Sequence, residues 1–321
     1  MSRREERTLN DFETRVSIII PTHNRREDLA RCLRSVNTQS VSQLEVIVVD
    51  DHSTDGSVEM VRRDFDSVVL VENETRSGPS NRRNQGIKLA RGKYLLFLDS
   101  DSELPDPDLI ARFLQAVELK PRIGCIGGEI PMYERDFKGA VGRLLRFRGG
   151  SKRVNAVQGG VSRDALIRCD YLATLNCFVR REIVDEIGGF DPTYQFGGED
   201  VDLGLRVHEL GYDNYVMAAV GVRHYKSETG RYGDESYRYL EGRVHVLWKN
   251  APGYRIAAVG LVDFLDLLLF YPLLPLKLVI KLILGRAIKK ESWTGAVLLT
   301  RAYLWNLRRI GHLWWGRSTH I

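Results

Sequence analysis

Cysteine is scarce in this sequence. The four present, Cys32, Cys125, Cys169 and Cys177, include no CxxC pair. That spacing argues against a structural zinc site, and a disulfide framework is not expected in a chain this long. Buried thiols in a reducing compartment are the plain reading. Two glycine signatures are missing as well. There is no GxxxxGK[ST], and no GxGxxG follows the first apolar run. Residues 1–15 are polar and charged and lack an apolar h-region, so no secretory signal is expected. No uncharged run of about 18 residues exists, which removes the standard spanning helix. A collagen-like or low-complexity design is excluded by ordinary glycine (29) and proline (10).

The 321 residues are 43% apolar and 28% charged, enough to build a sizeable core. Residues 16–20 form a short apolar run, ended by Pro21, that reads as a buried strand. Similar runs lie at 44–49, 68–71, 94–98 and 123–130. Helical spacing appears between them, over 26–37, 54–63 (with Ser53 or Thr54 as N-cap), 80–90 and 107–119. This alternation predicts a doubly wound, mainly parallel sheet flanked by helices.

In such sheets ligands bind beyond the carboxyl ends of the strands. Three strands end there in polar residues: Pro21-Thr22-His23-Asn24, Asp50-Asp51 and Asp99-Ser100-Asp101. A lone carboxylate at a strand end is often a turn cap. Three such ends on one edge call for a ligand. Without a glycine loop, a nucleotide's phosphates would be held through a divalent cation, Mg²⁺ or Mn²⁺, bridged to carboxylates. A second constellation is Gly197-Gly198-Glu199-Asp200-Val201-Asp202. Compensation of the helix dipole accounts for one or two acids at a helix start. Three in four residues, beside two glycines that let a substrate approach, suggest a general base for an acceptor hydroxyl. His224 follows the apolar stretch 218–222. A single histidine is usually structural, and becomes a credible metal ligand only beside the aspartate pair. Arg223, Lys226 and Arg231 flank it and could meet phosphate oxygens.

Ile20 to Arg25, Val49 to Ser57, Arg83-Asn84-Gln85-Gly86, Leu98 to Asp101, Gly188-Gly189-Phe190-Asp191 and Gly198 to Leu203 stand in an order that resembles the family 2 glycosyltransferases of the GT-A fold. The resemblance covers about residues 14 to 250. It implies that Pro21, Thr22, His23 and Asp51 surround the nucleotide base, His23 replacing the family's usual aromatic. It further implies that Arg83, Asn84, Asp99 and Ser100 line the nucleotide-sugar pocket. Asp101, His224 and Asp99 would face the metal. Asp200 would be the catalytic base, with Glu199 beside it and a cation keeping it ionised. The implied chemistry is a single inverting displacement on a UDP-, GDP- or dTDP-linked sugar, accepted by a glycan or lipid-linked hydroxyl. A polyprenyl-phosphate acceptor and a nucleotidyltransferase are the alternatives. The first needs no base, and the second would want a glycine- and lysine-containing first loop.

Residues 132–173 are less regular and read as a lid, and 171–178 as a strand carrying Asn176 toward the acceptor. Residues 251–321 differ in composition. Ten basic and three acidic residues give this segment +7, leaving −2 of the total +5 for residues 1–250. That balance disfavours nucleic acid as a partner. Four of the five tryptophans are also in this segment. Asp263, Asp266, Lys277 and Lys281 interrupt its apolar stretch as a narrow stripe, as do Pro272 and Pro275. Such helices suit a membrane interface, on the cytoplasmic face. A flap on the catalytic domain or a homo-oligomer contact is the other use. The expected organisation is a polar tail (1–14), a GT-A domain (15–250) and an amphipathic helical membrane-associated region (251–321).

Overall fold

The computed structural model describes residues 15–129, 142–145, 151–154, 165–194 and 197–225, together with residues 242, 245–246 and 249–250. The chain divides into two units, residues 1–145 with 151–232, and residues 146–150 with 233–321. Of the second unit only the last five positions named are described, and they are helical. The tail, most of the expected lid and the whole of 251–321 lie outside the described residues.

The first unit begins β1 (Val16–Thr22), α1 (Arg26–Asn37), β2 (Leu44–Asp50), α2 (Ser57–Asp64), β3 (Val69–Val71), α3 (Pro79–Leu89) and β4 (Tyr94–Leu98). It continues with β5 (Ser102–Glu103), α4 (Leu109–Leu119), β6 (Ile123–Glu129), β7 (Gly142–Leu145), β8 (Ser151–Arg153), β9 (Leu166–Cys169) and β10 (Tyr171–Leu172). Last come β11 (Asn176–Arg180), α5 (Arg181–Ile187), α6 (Glu199–Glu209), β12 (Asp213–Gly221) and β13 (Arg223–His224). The main sheet is ordered β3-β2-β1-β4-β11-β6-β12-β9. Six of its strands point one way, and β11 and β9 run against them. The central strands are largely apolar because helices cover the sheet, and Ile18, Ile19, Leu96, Phe97 and Phe178 are fully buried. Burying one such side chain is worth about 1.5–3 kcal/mol.

Two expectations change, and one helix was not foreseen. Pro21 does not end β1 but lies within it, opposite Val49. Pairing with β4 has already stopped at Ile19, so a missing N–H is tolerated there. The second helix starts at Ser57, not Thr54, and its N-cap is Gly56 at φ 83° rather than Ser53 or Thr54. Residues 50–55 instead bond to the loop after β1. The unforeseen helix is α5, which carries no long apolar period and ends at Gly188 with φ 75°.

Gly92 shows how tightly α3 turns into β4. A Cβ there would lie 2.6 Å from the Ser17 amide nitrogen and 2.7 Å from its Oγ. The Gly92 amide also donates to Ser17 Oγ at 2.8 Å. Gly92→Ala therefore costs about 2–3 kcal/mol through backbone displacement. A urea midpoint equal to that of the parent would contradict this.

Candidate active site

Strand order reverses between β1 and β4, and the ends of those strands, with β2, form one polar edge. The loops after β1 and β2 are laced together. Asn24, at φ 50°, accepts from the Thr54 amide through Oδ1 at 2.7 Å. Its own amide donates to Ser53 Oγ at 2.9 Å. His23 Nδ1 lies 2.8 Å from the Asp51 carbonyl. Asp51 is buried, and its carboxylate accepts from the Ser77 amide (2.8 Å), the Gly78 amide (3.0 Å) and Arg82 Nε (2.7 Å). Both its oxygens thus serve the loop before α3. Pro21 is half-buried and Thr22 is buried. Among the described residues, Thr22 Oγ1 and Asp50 Oδ1 are buried on this edge without a protein partner.

Asp99, Ser100 and Asp101 follow β4, with Ser100 and Asp101 buried. The ligand atoms of Asp99, Asp101 and His224 all lie within 4.8 Å of one another. A short antiparallel ribbon creates this meeting: β13 pairs with β5, His224 opposite Ser102 and Arg223 opposite Glu103. The Tyr225 amide then donates to the Asp101 carbonyl at 2.9 Å, and its hydroxyl to Glu103 Oε2 at 2.6 Å. The Arg31 guanidinium covers the Tyr225 ring at 3.8 Å. His224 Nε2 is 3.1 Å from Asp101 Oδ1. Burial opposes charge on both partners, but their mutual contact prevails. Asp101, also facing Arg25, is held below the usual carboxylate range, and His224 is raised. Two carboxylates and an imidazole make a donor set that fits Mn²⁺ well, and Mg²⁺ less well.

Gly197 and Gly198, at φ 81° and 98°, turn the chain into α6. Its three acids have different surroundings. Asp202 is fully buried and paired with Arg206 at 2.6 Å, and Arg206 donates to the Ile187 carbonyl. That carboxylate braces α5 against α6, so two of the three acids remain for chemistry. Glu199 Oε1 accepts from Arg83 at 3.3 Å, and its Oε2 is buried without a partner among the described residues. Asp200 Oδ1 accepts from the Val201 amide at 2.8 Å. Burial, then the neighbouring Glu199 charge, pushes the Asp200 carboxyl up to about 7, against smaller pulls from Arg143 and Arg83.

Arg83 ties the two acidic groups together. It is 2% exposed and reaches Asp99 Oδ1 at 2.7 Å as well as Glu199. Its guanidinium also sits 5.4 Å from the Phe190 ring centre. Asn84 does something else. Its amide bonds both ways to the Phe190 backbone, at 2.7 and 2.8 Å, fixing the Gly188-Gly189 turn. Asn176 is fully buried, with Oδ1 accepting from the Gly128 amide at 2.9 Å, so it links β11 to β6 rather than facing an acceptor.

Arg25 and Tyr225 are the site residues that the sequence did not single out. Arg25 contacts Asp101 Oδ2 at 2.7 Å. No local period announces either residue, and only the pairing of β5 with β13 places Tyr225.

Residues 17–175 match the family model described as Glycosyl transferase family 2. The chain carries a family 2 glycosyltransferase domain. The glycosyltransferase is 26% identical over 239 residues to the glycosyltransferase AglE of Haloferax volcanii, a match spanning 72% of this chain and 73% of that relative. A second relative is the GalNAc(5)-diNAcBac-PP-undecaprenol beta-1,3-glucosyltransferase of Campylobacter jejuni. It is 35% identical over 94 residues, covering 28% of this chain and 30% of that one. Among solved structures, the mannosyltransferase PcManGT of Pyrobaculum calidifontis, in complex with GDP-Man and Mn²⁺, superposes with a TM-score of 0.57 at 20% identity. That match covers 91% of this chain and 87% of that chain. The fold is GT-A, with a mainly parallel central sheet flanked by helices. No helix among the described residues is long and apolar enough to cross a membrane.

Proposed function

We propose that this glycosyltransferase moves a sugar, with inversion, from a UDP-, GDP- or dTDP-linked donor to a hydroxyl of a glycan or lipid-linked acceptor, using Mn²⁺ or Mg²⁺. One observation carries the reading: Arg83 joins the Asp99–Asp101–His224 cluster to the start of the helix that bears Asp200. In this reading one buried guanidinium links the donor's cation site to the helix that bears the base.

Asp99, Asp101 and His224 would hold the cation. When bound, it neutralises charge that builds on the departing diphosphate. Asp200 accepts the proton of the acceptor hydroxyl as its oxygen attacks the anomeric carbon. The bond from that carbon to the diphosphate oxygen breaks on the opposite face. A carboxyl poised near neutrality suits this proton transfer, and a phosphate acceptor would not need it. Arg83 keeps Glu199 and Asp99 in place while charge redistributes around them.

A lipid-linked acceptor is supported by the Campylobacter relative, whose name carries an undecaprenol carrier. The basic, tryptophan-rich segment 251–321 supports a place on the cytoplasmic face of a membrane. The test is donor hydrolysis by the full chain, across UDP-, GDP- and dTDP-sugars with Mn²⁺. One nucleotide class turns over, EDTA stops it, and NMR finds the released sugar with inverted anomeric configuration. Turnover of no donor, turnover indifferent to EDTA, or retained configuration would overturn the reading.

A further inference from the structure

The acidic cluster already holds two permanent cations. Arg25 lies 2.7 Å from Asp101 Oδ2, and Arg83 lies 2.7 Å from Asp99 Oδ1. Asp99 and Asp101 are thus each paired with a guanidinium before any metal arrives, although Arg83 is shared with Glu199. A divalent cation approaching alone therefore finds its carboxylates paired and meets guanidinium charge within a few ångströms.

The two arginines are not equivalent. Arg83 is locked by Asp99, Glu199 and the Phe190 ring. Arg25 stands at the N-cap of α1, is 18% exposed in its side chain, and has Asp101 as its one ion-pair partner among the described residues. It can leave that partner for a better anion. It ends the loop that joins β1, on the proposed base-binding edge, to α1. A guanidinium takes two phosphate oxygens at once, which a single carboxylate oxygen cannot match.

We propose that Arg25 is a displaceable counter-ion: it weakens the cluster's hold on a bare divalent cation and moves to the donor's diphosphate, so that cation and nucleoside diphosphate load together. This rests on the function proposed above. It adds a reason why metal would not be held between turnovers, and gives a role to a residue outside the ligand set.

The experiment counts free Mn²⁺ by electron paramagnetic resonance, with the full chain, in the presence and absence of UDP or GDP. In the parent, the effective nucleotide tightens Mn²⁺ binding by about tenfold or more, a normal size for coupled ligands. Arg25→Gln binds Mn²⁺ alone about tenfold more tightly than the parent, and the nucleotide then adds about threefold or less. Arg25→Lys, which keeps the charge, binds bare Mn²⁺ as weakly as the parent. If Arg25→Gln binds bare Mn²⁺ no more tightly than the parent, Arg25 merely holds Asp101, and this inference fails while the proposed function stands. If the glutamine variant does not fold, the parent still decides, because coupling below about threefold overturns the inference. A parent that binds no Mn²⁺ even with UDP or GDP overturns the metal-dependent function and this inference with it.

Discussion

Asp200→Asn sharply lowers sugar transfer and makes the folded protein harder to melt at pH 8. The two effects share one cause. Burial and the Glu199 charge raise the Asp200 carboxyl from the ordinary aspartate range to about 7. The folded state therefore keeps a proton that the unfolded chain releases near pH 4. Between those values the unfolded chain binds fewer protons, so stability falls as pH rises, and above 7 the full cost of ionising this half-buried carboxylate beside Glu199 is present. Asparagine removes that cost and keeps an oxygen for the Val201 amide. The gain in melting temperature is accordingly larger at pH 8 than at pH 5. Transfer drops about 10²–10⁴-fold, the usual contribution of a general base. In the parent, kcat/KM reports the free enzyme and rises to a plateau through about pH 7. A variant that retains transfer would end the assignment of the base. One that melts like the parent at pH 8 would end the account of its environment.

The α/β alternation was legible because the first strands are short, mostly apolar runs and the longer helices carry a clear period. α1 falls on the expected residues, 26–37, since Leu29, Cys32, Leu33 and Val36 form one apolar face. Polar residues at three strand ends correctly marked the edge. The ribbon of β5 and β13 was not legible. Residues 102 and 224 are far apart in sequence, and two-residue strands have no period to read. His224 could be called a metal ligand only through the family resemblance, and its contact with Asp101 supplies the physical reason.

The acids of α6 illustrate a different limit. Composition could not separate Asp202 from Glu199 and Asp200, although Arg206 four residues on was a usable sign of an intrahelical pair. The bracing role of Asn84 was not legible because it depends on a distant turn. Gly189, at φ 79°, brings its backbone so close that a Cβ would lie 2.7 Å from Asn84 Oδ1. Asn176 belongs to the same class, since its partner is the Gly128 amide on another strand.

Arg83→Met has the largest expected effect on stability. Arg83 is the one cation shown bonded to both Asp99 and Glu199, and removing it strands their charges. Breaking a buried pair from one side typically costs about 3–5 kcal/mol, most of it from the carboxylate left behind. The two partners should not contribute equally. Asp99 is nearer, at 2.7 against 3.3 Å, but its side chain is 29% exposed and that of Glu199 only 11%. Coulomb energy scales inversely with distance, so proximity favours Asp99 by about a fifth. Solvent screening changes the effective dielectric several-fold between surface and interior, so burial wins. Double-mutant cycles by urea unfolding at pH 7 therefore find a coupling of about 1–3 kcal/mol between Arg83→Met and Glu199→Gln. The coupling with Asp99→Asn is smaller. Additive effects for the Glu199 pair, or a larger coupling to Asp99, would mean that the guanidinium belongs to the cluster after β4 alone. Transfer activity stays lost in every member of the cycle lacking Arg83, because a stable fold does not restore the link between Asp99 and the helix that bears Asp200.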